Sequence, residues 1–233
     1  MKFMIMMFLI FASFAFAADV PKAAPAPADE AWQRAFVVEK GDWSTTGRNP
    51  FFILEPGYQL FLEGEEVRLT ITVTDQTRTV DGVETRVVEE RETEGGKLVE
   101  VSRNYFAISH KTNAVYYFGE EVDLYQNGKI AGHEGSWLSG EKGAKFGLMM
   151  PGQVRVGERH YQEIAPGTAM DRVEIVSVSE IMKTPMGEFK NCLKAEETTL
   201  MEPGNKEYKY YAPGIGLVRD GDLLLIQHGF TKK

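Results

Sequence analysis

The run Val67-Arg68-Leu69-Thr70-Ile71-Thr72-Val73-Thr74 decides the fold. Apolar residues occupy every second position of this run, and polar residues fill the positions between them. Because successive side chains of a β-strand point to opposite faces, the period of two predicts a strand with one face in the core and one in water.

Further strand-like runs follow, and they are separated by turn residues. Asn127-Gly128 is the strongest hairpin signal, because both residues tolerate the positive φ of a type I′ turn. Asp81-Gly82, Gly95-Gly96 and Asp220-Gly221 mark other reversals. The runs are 84–92, 98–108, 114–119, 123–126, 129–133, 170–180, 188–199, 206–212, 216–219 and 223–227. The sequence therefore predicts an all-β fold of antiparallel meanders in a curved sheet, a half-barrel or a sandwich.

A self-similarity in these runs predicts an internal duplication. The matched pairs are Gly82 with Gly187, Tyr105-Phe106-Ala107 with Tyr210-Tyr211-Ala212, and residues 66–75 with 171–180, all at an offset of 105 residues. The two copies would span about 58–119 and 158–228. Chance similarity between two meanders is the alternative, because alternation alone produces partial matches.

The N-terminus has the parts of a secretory signal peptide. Met1-Lys2 is positively charged, residues 3–14 are apolar apart from Ser13, and Ala15-Phe16-Ala17 supplies small residues for cleavage. We expect cleavage after Ala17 and a periplasmic or secreted mature protein. An uncleaved anchor helix is the alternative, although the apolar run is shorter than the roughly 20 residues that cross a bilayer.

The rest of the chain divides by composition. Residues 18–28 are rich in Pro and Ala, which predicts an extended linker. Residues 29–48 are expected to form a short helix or an extended N-terminal segment, with Trp32, Ala35 and Phe36 on one face of the helix. Residues 49–233 are expected to form a single all-β domain.

Charge and cysteine content limit the partners. The formal net charge is -8, without a cluster of Lys and Arg, so nucleic acid and anionic membrane surfaces are not expected as partners. The single cysteine, Cys192, cannot form an internal disulfide and lies far from the apolar N-terminal run. A lipid anchor is therefore not expected. A membrane span is not expected either, because no second apolar run is long enough to cross a bilayer. The oligomeric state is left open.

Residues 132–157 interrupt the strand pattern with many glycines and large apolar residues. The large side chains are Trp137, Phe146, Leu148, Met149 and Met150. Such a segment could act as a flap that covers an apolar ligand, which makes these five the candidate ligand-binding residues. The alternative is a plug that simply packs one end of the curved sheet.

Enzyme and metal chemistry find little support. The sequence has no Gly-x-Ser-x-Gly elbow, phosphate loop or dinucleotide fingerprint, so neither a catalytic residue nor a cofactor is expected. Its four histidines are scattered. The weak metal candidate is His133 with Glu120, supported by Glu121, Asp123 and Glu134. Solvated edge charges are the simpler interpretation.

Several motifs together resemble a family of uncharacterised secreted bacterial proteins, many of them lipoproteins. They are Asn49-Pro50-Phe51-Phe52-Ile53-Leu54-Glu55-Pro56-Gly57, Val115-Tyr116-Tyr117-Phe118-Gly119-Glu120, Gly135-Ser136-Trp137, Gly143-Ala144-Lys145 with Met150-Pro151, and Tyr210-Tyr211-Ala212-Pro213-Gly214-Ile215-Gly216-Leu217-Val218. The resemblance covers about 49–219, implies an extracytoplasmic β-protein and supplies no catalytic residues to carry over. This chain lacks the lipidated cysteine of the lipoprotein members. The last motif is also similar to hairpins of half-barrel periplasmic proteins related to lipoprotein carriers.

These observations favour a non-enzymatic extracytoplasmic protein that binds an apolar ligand or a segment of an envelope protein. The alternatives are a structural interaction module without a ligand cavity and an enzyme of unknown class. A carrier should have an open apolar concavity of a few hundred cubic ångströms, whereas an interaction module should have a filled interior and an exposed patch.

Overall fold

The computed structural model describes residues 32–39 and 41–231. The predicted signal peptide (1–17) and linker (18–28) lie outside these residues. Every regular element among the described residues is a β-strand, which confirms the all-β class. In this part of the chain no helix has the length and apolar character needed to cross a membrane.

The described residues contain 18 strands. They are β1 (Trp43–Ser44), β2 (Gly47–Asn49), β3 (Phe52–Leu54), β4 (Tyr58–Glu63), β5 (Val67–Val80), β6 (Val83–Glu94), β7 (Lys97–Ser109), β8 (Val115–Gln126), β9 (Lys129–Gly132), β10 (Trp137–Leu138), β11 (Lys145–Met150), β12 (Arg159–Tyr161), β13 (Glu163–Ile164), β14 (Asp171–Thr184), β15 (Gly187–Thr199), β16 (Glu207–Ala212), β17 (Gly216–Asp220) and β18 (Leu223–Phe230). All except β2 and β3 belong to one 16-stranded sheet.

The sheet is a ring of antiparallel neighbours. One meander, β4 to β8, joins a second meander, β14 to β18, because β18 pairs with β4. Beyond β8 the sheet continues through β11 to β13, and beyond β14 it ends at β12. These two ends are consecutive in the chain and are separated only by Gln162. The curved-sheet prediction is confirmed, and the sandwich alternative is wrong.

Turn residues act as the sequence predicts. Asn127 and Gly128 have φ of 53° and 74° and join β8 to β9, where Gln126 pairs with Lys129. Asp81 and Gly82 likewise have positive φ and join β5 to β6. Both pairs match the left-handed conformation of a type I′ hairpin.

The duplication at an offset of 105 residues is wrong in register. β5 and β14 are both 14 residues long, but their first residues, Val67 and Asp171, are 104 positions apart. Gly82 lies in a turn, whereas Gly187 is already the first residue of β15. A shift of one residue exchanges the two faces of a strand, so the match of 66–75 with 171–180 paired inward residues with outward ones. The match of Phe106 with Tyr211 does hold, since both residues belong to the same buried apolar cluster.

Two apolar clusters lie on opposite sides of the sheet. The interior cluster fills the space inside the ring and includes Leu62, Ile175 and Leu225. The outer cluster consists of Val80, Val87, Tyr105, Ala107, Ala114, Tyr116, Phe118 and Leu148. Phe36, Val38 and Trp43 from the N-terminal segment pack against the outer cluster.

The N-terminal segment is extended where it is described. Residues 32–39 contain no helix, so the helical alternative for 29–48 is not found among the described residues of that range. Trp43 makes edge-on ring contacts with Tyr116 and Phe118, at centroid distances of 5.2 and 5.3 Å. Aromatic packing on the outer face therefore fixes this segment in an extended path.

Candidate functional site

An apolar cavity of about 90 Å³ lies inside the ring of strands. Its lining includes Ile71, Val73 and Val88 of the first meander and Tyr211 and Leu217 of the second. A single water needs only about 10–15 Å³ of such space, so the cavity can receive a group larger than one water. It is smaller than the few hundred cubic ångströms expected of a carrier.

One side of this cavity is charged. Glu90, Lys209 and Asp220 line it together with the apolar residues. Glu90 lies directly opposite Ile71 in the β5–β6 ladder, and Lys209 lies directly opposite Asp220 in the β16–β17 ladder. Directly opposite residues share a face of the sheet, so the ladders direct these charges inward.

The charged wall belongs to a larger group, which we call the interior carboxyl cluster. In the described part of the chain it comprises Glu90, Glu92, Glu100, Glu120, Glu163, Glu197 and Asp220. The ladders place Glu92 opposite Glu100, and Glu90 and Asp220 from different meanders line the same cavity. Carboxyls from both meanders therefore meet inside the ring.

Lys209 is held by two members of this cluster. Its Nζ lies 2.8 Å from Glu197 Oε2 and 3.8 Å from Asp220 Oδ2. Burial lowers the pKa of Lys209, but Asp220 and Glu197 outweigh burial and raise that pKa well above its usual range. The three side chains keep 24%, 12% and 24% of their surface exposed, so water reaches this part of the interior.

The remaining carboxyls hold their protons tightly. Burial raises the pKa of Glu90 and of Glu92 to about 7, and the neighbouring carboxyls add to both shifts. Burial also raises the pKa of Glu120 to about 8. Like charges in a poorly hydrated space disfavour ionisation. Glu90, Glu92 and Glu120 therefore titrate near neutral pH.

A row of polar side chains runs from Glu120 across the sheet. Glu120 lies opposite Asn104, and the Tyr117 hydroxyl donates to Asn104 Oδ1 at 2.5 Å. Glu120 also interacts with the Tyr117 hydroxyl, which lowers the pKa of Glu120 by less than burial raises it. Asn104 Nδ2 in turn donates to Ser102 Oγ.

Trp137 and His160 are buried in the interior, and Trp137 Nε1 makes no hydrogen bond to the described residues. Trp137 lies opposite Glu120, and His160 lies opposite Val173, which in turn pairs with Glu197. Both side chains therefore stand on ladder rows that hold members of the interior carboxyl cluster.

The structure separates the five candidate ligand-binding residues. Met149 lines the cavity, and Trp137 and Met150 belong to the interior cluster. Leu148 belongs to the outer cluster, and Phe146 packs against it, stacked on Phe118. The expected flap is therefore wrong as a single covering unit, because β11 is hydrogen-bonded between β8 and β13. A register irregularity between Leu148 and Met150 places these two side chains on opposite faces of the sheet.

The structure also separates the metal candidate. His133 Nδ1 contacts Asp123 Oδ1 at 3.0 Å and the Val122 carbonyl at 2.8 Å. Glu120 instead faces the interior beside Tyr117. Among residues 32–39 and 41–231, no group of three or more His, Cys, Asp or Glu side chains is arranged to hold a metal ion.

Sequence reasoning missed the interior carboxyl cluster. Residues 89–92 read Glu-Glu-Arg-Glu, and such a charged stretch is ordinarily assigned to solvent. The available signal was the register after Asp81-Gly82, which alone would place Glu90 and Glu92 opposite the apolar Val73 and Ile71. An irregularity between Val73 and Thr77 moves them opposite Ile71 and Leu69, on the same face. A hairpin register derived from the turn would have directed these carboxyls inward.

Comparisons with known proteins give little beyond this geometry. No protein-family model matches the sequence, and no curated protein matches it. The chain is similar to the crystal structure of a protein inferred to be a lipoprotein of Parabacteroides distasonis ATCC 8503, at 13% identity and a TM-score of 0.37. The match covers 78% of this chain and 100% of that chain. Values this low support no inference about function, and the family resemblance of the motifs stays a prediction.

Proposed function

We propose that this chain is a non-enzymatic extracytoplasmic binding protein that holds a small apolar or amphipathic ligand inside its curved sheet. The observation that carries the proposal is the cavity of about 90 Å³, lined by apolar side chains from both meanders. The signal-like N-terminus supports the location, and the cavity supports the binding role.

The apolar lining sets the scale of the affinity. Each buried CH₂ group contributes about 0.8 kcal/mol, so a six-carbon chain gains about 5 kcal/mol before the cost of association. A dissociation constant near 1 mM corresponds to about -4.1 kcal/mol. Because the cost of association reduces this gain, we expect small neutral ligands to bind weakly, no more tightly than the millimolar range.

Hexanol tests the proposal. We expect hexanol to shift the methyl resonances of Ile71 and Leu217, because both residues line the cavity. The substitution Ile71→Phe should fill the cavity and weaken hexanol binding by about tenfold or more, since overpacking leaves no space for the ligand. Titration by nuclear magnetic resonance measures both the site and the affinity.

Ile181→Phe is the matched control. Ile181 is 58% exposed, so the same chemical change there should leave hexanol binding unchanged. If hexanol leaves the Ile71 and Leu217 methyl groups unshifted, or if Ile71→Phe binds hexanol as well as the wild type does, the cavity is not a binding site.

An interaction module is the second candidate, and one surface feature favours it. Val176, Val178, Ile181 and Met186 are exposed along the β14–β15 hairpin. Exposed apolar groups of this kind often contact a partner protein. This candidate predicts no binding of hexanol in the interior, so the same titration separates the two functions.

A further inference from the structure

We propose that the ligand of the interior cavity is a cation, a short-chain amine whose ammonium group lies against Glu90 and Asp220 while its apolar part fills the cavity. This inference rests on the proposed binding function and narrows its ligand class. Glu90 and Asp220 both line the cavity, so one molecule can contact the apolar lining and these carboxyls together.

The charge balance of the interior favours a cation. The described residues place seven carboxyl groups in the interior carboxyl cluster, and Lys209 forms ion pairs with two of them. Glu163 is further stabilised by the backbone N–H of Asp171, at 2.6 Å. Added positive charge would relieve the repulsion among the others, whereas an anion would increase it.

One buried donor in the interior also has no partner among the described residues. Trp137 Nε1 is buried without a hydrogen bond to them, although buried polar groups are nearly always paired. Trp137 lies directly opposite Glu120, a member of the interior carboxyl cluster. The interior therefore has unused hydrogen-bonding capacity on a row of this cluster.

An organic ammonium fits this arrangement better than a metal ion. A metal requires several ligands at one point, and the described residues contain no group of three or more suitable side chains so arranged. An ammonium group has three N–H donors that can reach separate acceptors. Glu90 and Asp220, on strands of different meanders, provide such acceptors.

Titration of the interior should control amine affinity. Glu90 is surrounded by Lys209, Asp220, Glu100 and Glu197, and its pKa is about 7, mainly because it is buried. An ammonium group binds the ionised carboxylate more strongly than the neutral acid. Amine affinity should therefore increase from about pH 6 to about pH 8, while hexanol affinity stays constant.

Calorimetric titration of three ligands of equal length tests the inference. At about pH 8 we expect the wild type to bind hexylamine at least tenfold more tightly than hexanol, and to bind hexanoate more weakly than hexanol. Glu90→Gln should remove most of the preference for the amine and retain hexanol binding. Glu89→Gln is the matched control, because Glu89 is the preceding residue and therefore faces outward, where it pairs with Arg91.

A second variant keeps the test independent of Glu90. Lys209→Met removes the internal cation, so its two carboxyl partners become available and hexylamine should bind more tightly than it binds the wild type. If hexanol or hexanoate binds the wild type as tightly as hexylamine, the cation inference is wrong while the binding function stands. If none of the three ligands binds, the proposed function itself fails.

Discussion

At the scale of single residues, Asn49 shows how one buried amide connects distant segments. Its Nδ2 donates to the carbonyls of Asn113 and Pro151, at 2.9 and 2.8 Å, and its Oδ1 accepts from the Phe51 N–H at 2.8 Å. The side chain is 1% exposed, so water cannot replace these bonds. Asn49 therefore fixes the β2–β3 hairpin to the turn before β8 and to the end of β11.

We expect Asn49→Ala to lower the free energy of unfolding by at least about 2 kcal/mol, because it leaves buried backbone groups without partners. Asn205→Ala is the control. Asn205 is exposed, and its side chain donates a hydrogen bond to the nearby Glu202 side chain. Its loss should change the free energy of unfolding by less than about 0.5 kcal/mol. Urea unfolding measures both variants, and equal effects would contradict the role of Asn49.

Turn residues were also predictable at this scale, and buried carboxyls were not. Asn127-Gly128 identifies its turn locally, because the positive φ depends on those two residues alone. The inward direction of Glu90 depends on a residue far along the hairpin, Ile71, and on closure of the ring. Residue type therefore predicts the backbone conformation of a turn well. It predicts poorly which face a side chain takes when that face depends on residues far away in the sequence.

At the scale of elements, the N-terminal strap, residues 32–39, covers the edge of β12. The Gln33 N–H donates to the Arg159 carbonyl, and the Tyr161 N–H donates to the Gln33 carbonyl, both at 3.0 Å. Trp32 packs edge-on against Tyr161 at a centroid distance of 6.4 Å. The strap thereby satisfies backbone groups that would otherwise form an open edge.

We expect Gln33→Pro to loosen this edge, because proline has no N–H to donate to Arg159. Hydrogen exchange of the Tyr161 N–H should then accelerate by at least about tenfold, since local opening becomes easier. Val37→Ala is the control, because Val37 is 98% exposed. Unchanged exchange at Tyr161 in the proline variant would show that the strap does not protect β12.

Element type was predictable from the sequence, but the faces of β11 were not. Alternation in residues 67–74 depends on one buried face, and β5 follows it. β11 has apolar residues on both faces, since Leu148 lies in the outer cluster and Met150 in the interior cluster. A strand buried on both sides does not alternate between apolar and polar residues. The sequence therefore could not show that Leu148 and Met150 lie on opposite faces of the sheet.

At the scale of the whole molecule, the interior carboxyl cluster makes stability depend on pH in an unusual direction. The pKa of Glu90, Glu92 and Glu120 is about 7 to 8 in the folded chain, against an ordinary value of 4.5. Between these values the folded state binds more protons than the unfolded state. The free energy of unfolding therefore falls as the pH rises through this window.

We expect the melting temperature to fall between about pH 6.5 and about pH 8.5. His160 opposes the trend only below its ordinary pKa of 6.5, because burial lowers its folded-state pKa to about 4. Glu120→Gln should flatten the fall, since the amide does not titrate. Glu65→Gln changes an exposed residue and should leave the pH dependence of the melting temperature unchanged. Thermal melts across this range that show rising stability would contradict the proposed titration.

The pairing of β18 with β4 has a consequence for the order of synthesis. Residues 58–63 emerge early, yet their neighbour in the ring is residues 223–230, near the C-terminus. Contacts between such distant segments form slowly, because a long loop must close first. Until that last strand arrives, the first meander has an open edge that can pair with another chain. A growing chain must therefore be kept from associating with its neighbours until translation is complete.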